Sequence, residues 1–435
     1  MGERKMDFFI KTLTAFALLS MLPIGAAAQE SPDGPGPTFD QVLSLRRAGA
    51  PAISPNGEMI AFTVSTTDWK ENRYDSEIWL KKEGMQPFQL TRTTDGSSTS
   101  PKWSPDNQWI AFLADRGNKR QIFLIRTDGG EAQAITDVKQ GISSFAWAPD
   151  GSHIAFIAAE EETKGQKDRK QRYGEFAIED SEYRQSHLWL VEVTYDLWPS
   201  PEEVNCERSE EKGSETNGKD TESEDEEGEK SACPALPKPE RLTEGDSFTV
   251  TGFSWSPDGT RIAFGHQENP LINSWPTADI SILELESRKQ TPLVERPGAD
   301  RGAVWSPDSE WIIFSSDDGN TTSNYYENNK IFKISSSGGN LQRIGSSFDE
   351  NIGSLEWTPQ GVFFIAWQRT ARYLFRLDLE TDQVAPVSTD PRVIYSASFS
   401  KDGKKVALSG LDQDTLPEIY SAALPSLALE RISDM

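Results

Sequence analysis

Three histidines, two cysteines and one stretch rich in carboxylates are the residues of this 435-residue sequence best equipped for chemistry. His153, His187 and His266 offer imidazole, but no His-x-x-x-His or other ligand spacing relates them. A metal site of the kind some polysaccharide lyases use would need all three brought together from separate elements. Cys206 and Cys233 form an even pair, which in an oxidising compartment invites a disulfide. The loop it closes would formally be worth about 3.5 kcal/mol by chain entropy. Between Gly174 and Tyr183 the acids Glu175, Glu179, Asp180 and Glu182 share the chain with Phe176, Ile178 and Tyr183. Carboxylates there could hold the amino terminus of a substrate; a solvated acidic hairpin is the plainer reading. Asp317-Asp318-Gly319-Asn320 lacks the alternating acids and distal Glu of a calcium loop. No Gly-x-Ser-x-Gly, phosphate loop or dinucleotide fingerprint occurs. The sequence thus assigns no catalytic residue, no metal ligand and no cofactor.

Positioning such groups falls to a pattern written seven times. Trp255-Ser256-Pro257-Asp258-Gly259-Thr260-Arg261-Ile262-Ala263-Phe264 has close copies at 103–112, 147–156 and 305–314, and a worn one at 357–365. Copies at 53–62 and 399–408 keep the frame with Ile53 or Phe399 in the leading place. In the copy at 255–264 an apolar residue ends one strand, Ser-Pro-Asp-Gly makes the turn, and Ile-Ala-Phe opens the next strand. A third strand follows, as at 77–80, 121–125 and 187–190. A fourth ends in phrases such as Gln89-Leu90-Thr91, Ala134-Ile135-Thr136 and Arg241-Leu242-Thr243. Four antiparallel strands make one blade, so the repeat predicts an all-β, seven-bladed β-propeller over 49–433. The recurring Trp103, Trp147, Trp255, Trp305 and Trp357 read as packing between blades, because they recur with the unit. The recurring Asp of the turn reads as turn chemistry on the same ground.

One step between turn prolines, Pro149 to Pro257, is too long by about a blade. Composition assigns the excess to insertions in blade three, 158–185 and 196–238. Residues 202–230 hold thirteen acidic and four basic side chains and almost nothing apolar. Such a segment cannot offset its ordering entropy, and disorder is expected there. At the start, Arg4, Lys5 and Lys11 precede an apolar run at 12–24 and then Ala26-Ala27-Ala28. That is the pattern of a secretory signal over 1–28, cleaved to leave no membrane segment in a periplasmic or secreted protein. Residues 29–48 form a leader with a short helix after a Thr38 cap. The net charge of −25 argues against nucleic acid and anionic lipid as partners.

The series Ile53-Ser54-Pro55-Asn56-Gly57, Gly129-Gly130-Glu131-Ala132, Trp255-Ser256-Pro257-Asp258-Gly259 and Pro417-Glu418-Ile419-Tyr420 resembles the amino-terminal propeller of secreted prolyl-oligopeptidase-family serine peptidases. The dipeptidyl and acylaminoacyl peptidase branch is the most similar. The resemblance implies a non-catalytic ring that gates short peptides into a separate α/β-hydrolase domain, which carries the Ser, Asp and His. None of that triad can be placed on this chain, which on this reading stops short of the hydrolase and is inactive alone. Relatives that hold a peptide amino terminus from a propeller insertion make Glu179 and Asp180 the candidates here. The rival expectation is a stand-alone propeller similar to that of the Tol translocation system, acting as a platform for other proteins.

Overall fold

The computed structural model describes residues 36–93, 96–116, 119–175, 182–195, 236–322, 327–388 and 390–435. Two compact units divide the chain at Ser44 and Leu45. In the first, Thr38 caps a five-residue helix, Phe39–Leu43. The Thr38 side chain accepts from the Gln41 N–H at 3.2 Å, and the Gln41 side chain returns to the Thr38 N–H at 2.8 Å. No residue of this helix is buried, and Phe39 is 75 % exposed.

The second unit is built of antiparallel four-stranded blades whose strands follow one another in sequence. They span residues 47–89, 98–134, 142–241, 249–294, 300–344, 352–386 and 393–431. A single parallel bridge, Arg372 to Val393, links the sixth blade to the seventh. The outermost strand of each blade is short, only two residues in blades one, two, three and seven, which leaves little free edge for other chains to pair with.

The Ile-Ala-Phe run explains why the blades form a ring. Side chains alternate across a strand, so Ile110 and Phe112 of blade two point to one face and Ala111 to the other. Ile110 and Phe112 pack on blade one with Ala61, Ile78 and Leu80, while Ala111 belongs to the cluster shared with blade three. The large face of each blade thus meets the small face of the blade before it. The same division holds for Ile154 and Phe156 against Ala155, and for Ile262 and Phe264 against Ala263. Seven such clusters are seen, one for each pair of neighbours. The last joins Ala407, Ile419 and Ile432 of blade seven to Ile53, Ile60, Phe62 and Val64 of blade one. Packing therefore closes the ring, and among the described residues no strand is exchanged between its ends.

Hydrogen bonds stitch the same interfaces near the axis. The indole N–H of Trp103 donates to the Ala52 carbonyl at 2.7 Å, Trp147 to Lys102 at 3.1 Å, and Trp305 to Ser254 at 3.1 Å. Each tryptophan reaches the blade before its own. At the seam between blades seven and one, Ile53 N–H donates to Ser398 Oγ at 3.1 Å and Lys401 N–H to the Pro55 carbonyl at 2.9 Å. The turn aspartates stay local. Ser256 Oγ donates to Asp258 Oδ1 at 2.6 Å, the Thr260 N–H donates to the same oxygen at 2.9 Å, and Arg261 N–H donates back to Ser256 Oγ at 2.9 Å. In blade five the Ser306 hydroxyl, with the Glu310 N–H, holds the Asp308 carboxyl below the usual carboxylate range.

Candidate functional site: the central bore

The first strand of every blade lies nearest the axis, and together these strands wall three adjoining cavities of ≈ 540, ≈ 570 and ≈ 460 Å³. Pro257 lines all three, so they read as lobes of one bore. Turn prolines from blades one to six, including Pro55, Pro105 and Pro307, ring one mouth. A propeller's bore admits ligands only where its inner strands carry small side chains. Here the residues just before the recurring Trp, Ile53 or Phe399 are Ala52, Lys102, Ala146, Ser254, Val304, Glu356 and Ser398. Five of the seven are small or neutral; two are charged, with opposite sign.

The backbone before those two places is irregular, as it is in the first strand of every blade. Pairing shifts register between Thr99 and Lys102 in blade two and between Gly353 and Glu356 in blade six. Within the shifts, Ser100 and Ser354 take φ of 55° and 51°, a left-handed conformation that costs energy for a residue with a Cβ. Ala50 and Gly302 hold the corresponding place in blades one and five, at 45° and 66°. Such bulges redirect the side chains that follow, and they recur beside binding sites.

Lys102 and Glu356 are exposed to the bore's interior yet walled by protein. Enclosure pushes the Glu356 carboxyl up to about 7, with Lys102 pulling the other way. It also lowers the Lys102 ammonium, which Glu356 in turn opposes. Water inside the bore moderates both effects, since each side chain keeps exposed surface. The Lys102 ammonium sits 5.6 Å from the Phe145 ring centroid. No hydrogen bond or ion pair of either side chain occurs among the described residues. The other cations lining the bore are Lys401 at the proline mouth and Arg301, whose guanidinium lies 3.9 Å from Asp317.

The structure does not bring the three histidines together. His153 lies at one end of the blade-three sheet, its Nδ1 2.7 Å from Ser152 Oγ. His187 and His266 flank the Phe248 ring at 6.1 and 5.1 Å. His187 is fully buried, with Nδ1 3.2 Å from Thr243 Oγ1 and Nε2 3.3 Å from a Glu160 carboxylate that also meets Arg241 at 2.9 Å. Its place explains it. Two residues before the third-strand partner of Phe62, blade one has Glu77, which takes the Thr91 hydroxyl; at the same place before the partner of Leu408, blade seven has Glu418, which takes the Ser433 hydroxyl. His187 fills that structural slot. Among the described residues no group of three or more His, Cys, Asp or Glu could hold a metal.

Glu179, Asp180, Cys206, Cys233 and the segment 1–28 lie outside the described residues. Earlier in the blade-three insertion, Lys164–Tyr173 form a ten-residue helix where the sequence shows no apolar stripe. Thr163 caps it through a box with Gln166, Gly174 ends it at φ 82°, and its charges are spent locally: Lys170 pairs with Glu162 at 2.6 Å, and Arg169 with Glu182. Sequence reasoning missed Lys102 and Glu356. Aligning the seven repeats on the Trp position would have exposed them, as the two charges in a neutral column.

The family described as TolB beta propeller domain matches residues 42–183. Dipeptidyl-peptidase 5 of Porphyromonas gingivalis is 26 % identical over 394 residues, covering 86 % of this chain and 53 % of that protein. This chain therefore spans about half the length of that relative. Among solved structures, the acylaminoacyl peptidase of Pyrococcus horikoshii matches 90 % of this chain and 53 % of its own, at a TM-score of 0.62 and 14 % identity. The β-propeller domain of the Trilobed protease from Pyrococcus furiosus, described as having an open velcro topology, matches 89 % and 96 % at a TM-score of 0.57 and 15 % identity. At such identities the structures speak to fold alone. With the sequence relatives, they leave this chain a seven-bladed β-propeller similar in sequence to dipeptidyl-peptidase 5.

Proposed function

We propose that this chain is the non-catalytic, substrate-gating propeller of an exported serine peptidase that cleaves short peptides, with the reacting residues on an α/β-hydrolase domain outside it. One observation carries the reading. The match to dipeptidyl-peptidase 5 takes in nearly the whole propeller and only about half of that protein. The physics of the ring fits a gate. Seven packed interfaces give a rigid wall, and a bore of a few hundred cubic ångströms per lobe suits a short peptide and rejects a folded domain. Export is part of the proposal and rests on the pattern over 1–28; among the described residues no helix is long and apolar enough to cross a membrane. Glu179 and Asp180 remain the proposed contacts for a peptide amino terminus from the blade-three insertion, and Cys206 with Cys233 a proposed disulfide.

The coding DNA beyond codon 435 tests this. An open frame that continues into Gly-x-Ser-x-Gly is the expected finding. A stop codon, with no such frame in the adjoining genes, would overturn it. The match of residues 42–183 to the TolB beta propeller domain favours a second reading, a platform for other proteins. Exposed Trp69, Tyr74, Trp367 and Tyr395, on strand ends and a turn, would then supply the contacts. Substituting them would abolish partner capture without touching peptide binding.

A further inference from the structure

The bore is electrically lopsided. Its ≈ 540 Å³ lobe is lined by Lys102 and Lys401 and by no acid. The adjoining ≈ 570 Å³ lobe is lined by Glu356, the sole carboxylate among the described residues that wall the bore. Arg301 shares that second lobe, but its guanidinium is taken up by Asp317, the Trp275 carbonyl at 3.4 Å and the Trp275 ring at 5.7 Å. Lys102 meets only the Phe145 ring, at 5.6 Å, and Glu356 has no hydrogen-bond or ion-pair partner among the described residues. A lone charge enclosed by protein is costly unless paired, and a protein that keeps two of them has left ion-pairing capacity unused. Both follow the inner-strand bulge that blades one and five also carry at Ala50 and Gly302, so the charge, not the bulge, sets these two places apart. Two enclosed charges in an otherwise neutral column depart from the local pattern, and such departures are expected at functional sites.

We propose that the bore holds a site for a short peptide with both termini free, its carboxylate on Lys102 in one lobe and its ammonium on Glu356 in the next. The proposal deepens the gating reading and takes from it only the identity of the ligand as a peptide; the charge arrangement stands on the bore itself. Each lobe can accommodate a small polar segment, and Ser354 on the wall offers a hydroxyl to its backbone. The selectivity follows from the two ends. A peptide blocked at either end forfeits one charge-assisted contact, and a folded protein presents neither end to the interior.

Calorimetric titration of the purified chain with triglycine, N-acetyl-triglycine and triglycine amide tests it, with Lys102→Met and Glu356→Gln as variants. Triglycine is expected to lose about tenfold or more in affinity with either variant. The acetylated peptide should respond to Lys102→Met alone, and the amide to Glu356→Gln alone. Trp103 and Trp357 adjoin the two charged residues, so unaltered tryptophan emission and unaltered thermal unfolding would show that the variants fold. Triglycine binding indifferent to both substitutions would overturn the site and leave the gating reading standing. Loss with Lys102→Met alone, equalled by competition from inorganic phosphate, would make the lobe a simple anion site and also overturn the proposal. So would absence of binding by all three peptides. Failure of the gating reading is seen elsewhere, in the coding sequence.

Discussion

Trp147 shows what a single residue does in this molecule. Its ring lies in the core between blades two and three, and its N–H ties to the Lys102 carbonyl at the rim of the bore. The repeat made both roles readable, since a side chain that recurs at one place in every unit serves the unit. Trp147→Phe should remove the hydrogen bond and keep most of the packing, at a cost of about 1 kcal/mol. Phe112→Ala empties a fully buried site between blades one and two and should cost about 3–5 kcal/mol. Chemical denaturation of the two variants checks the ratio. Equal losses would mean that the indole bond, not the apolar face, holds the blades together. Lys102 and Glu356 do not recur, so the repeat shows them only as two charges in a neutral column, and their role needs the ring to place that column on the axis.

At the scale of the strand, one register position of the third strand is informative. Glu77, Gln121, His187 and Glu418 differ in chemistry but make the same kind of link to the end of the fourth strand. That is why a histidine with no ligand spacing sits there, and why only the contacts reveal its role. Burial, with the Arg241 guanidinium beside it, lowers the His187 pKa from 6.5, while Glu160 opposes the shift. The unfolded chain therefore takes up its proton first. Stability contributed by neutral His187 is present above pH 6.5 and is lost as the pH falls below it. His187→Gln places there the residue blade two already uses, where Gln121 accepts from the Val138 N–H at 3.0 Å and donates to its carbonyl at 2.7 Å. The drop in Tm between pH 7.5 and 5.5 should be smaller in this variant, by roughly 1–2 °C. An undiminished drop would show that other groups carry the acid sensitivity. The helix at 164–173 is the opposite case. No apolar stripe announces it, and only the Thr163 cap box and Gly174 terminate it in the sequence.

The whole ring is where sequence and structure agree most closely, because large-small-large alternation in Ile-Ala-Phe is at once a strand signal and the key that fits one blade to the next. How the ring closes was not in the sequence. Closure depends on Ile432 and Ile419 meeting Phe62 across the seam, and no local pattern relates residues so far apart in the chain. The account's central claim is that this toroid supplies walls and a passage while the bond-breaking groups lie on another domain. Hydrolysis of aminoacyl and dipeptidyl p-nitroanilides by the purified chain tests that claim most directly. The account predicts release no faster than in buffer. Turnover that copurifies with the chain and vanishes when one of its own serines, histidines or carboxylates is replaced would contradict it.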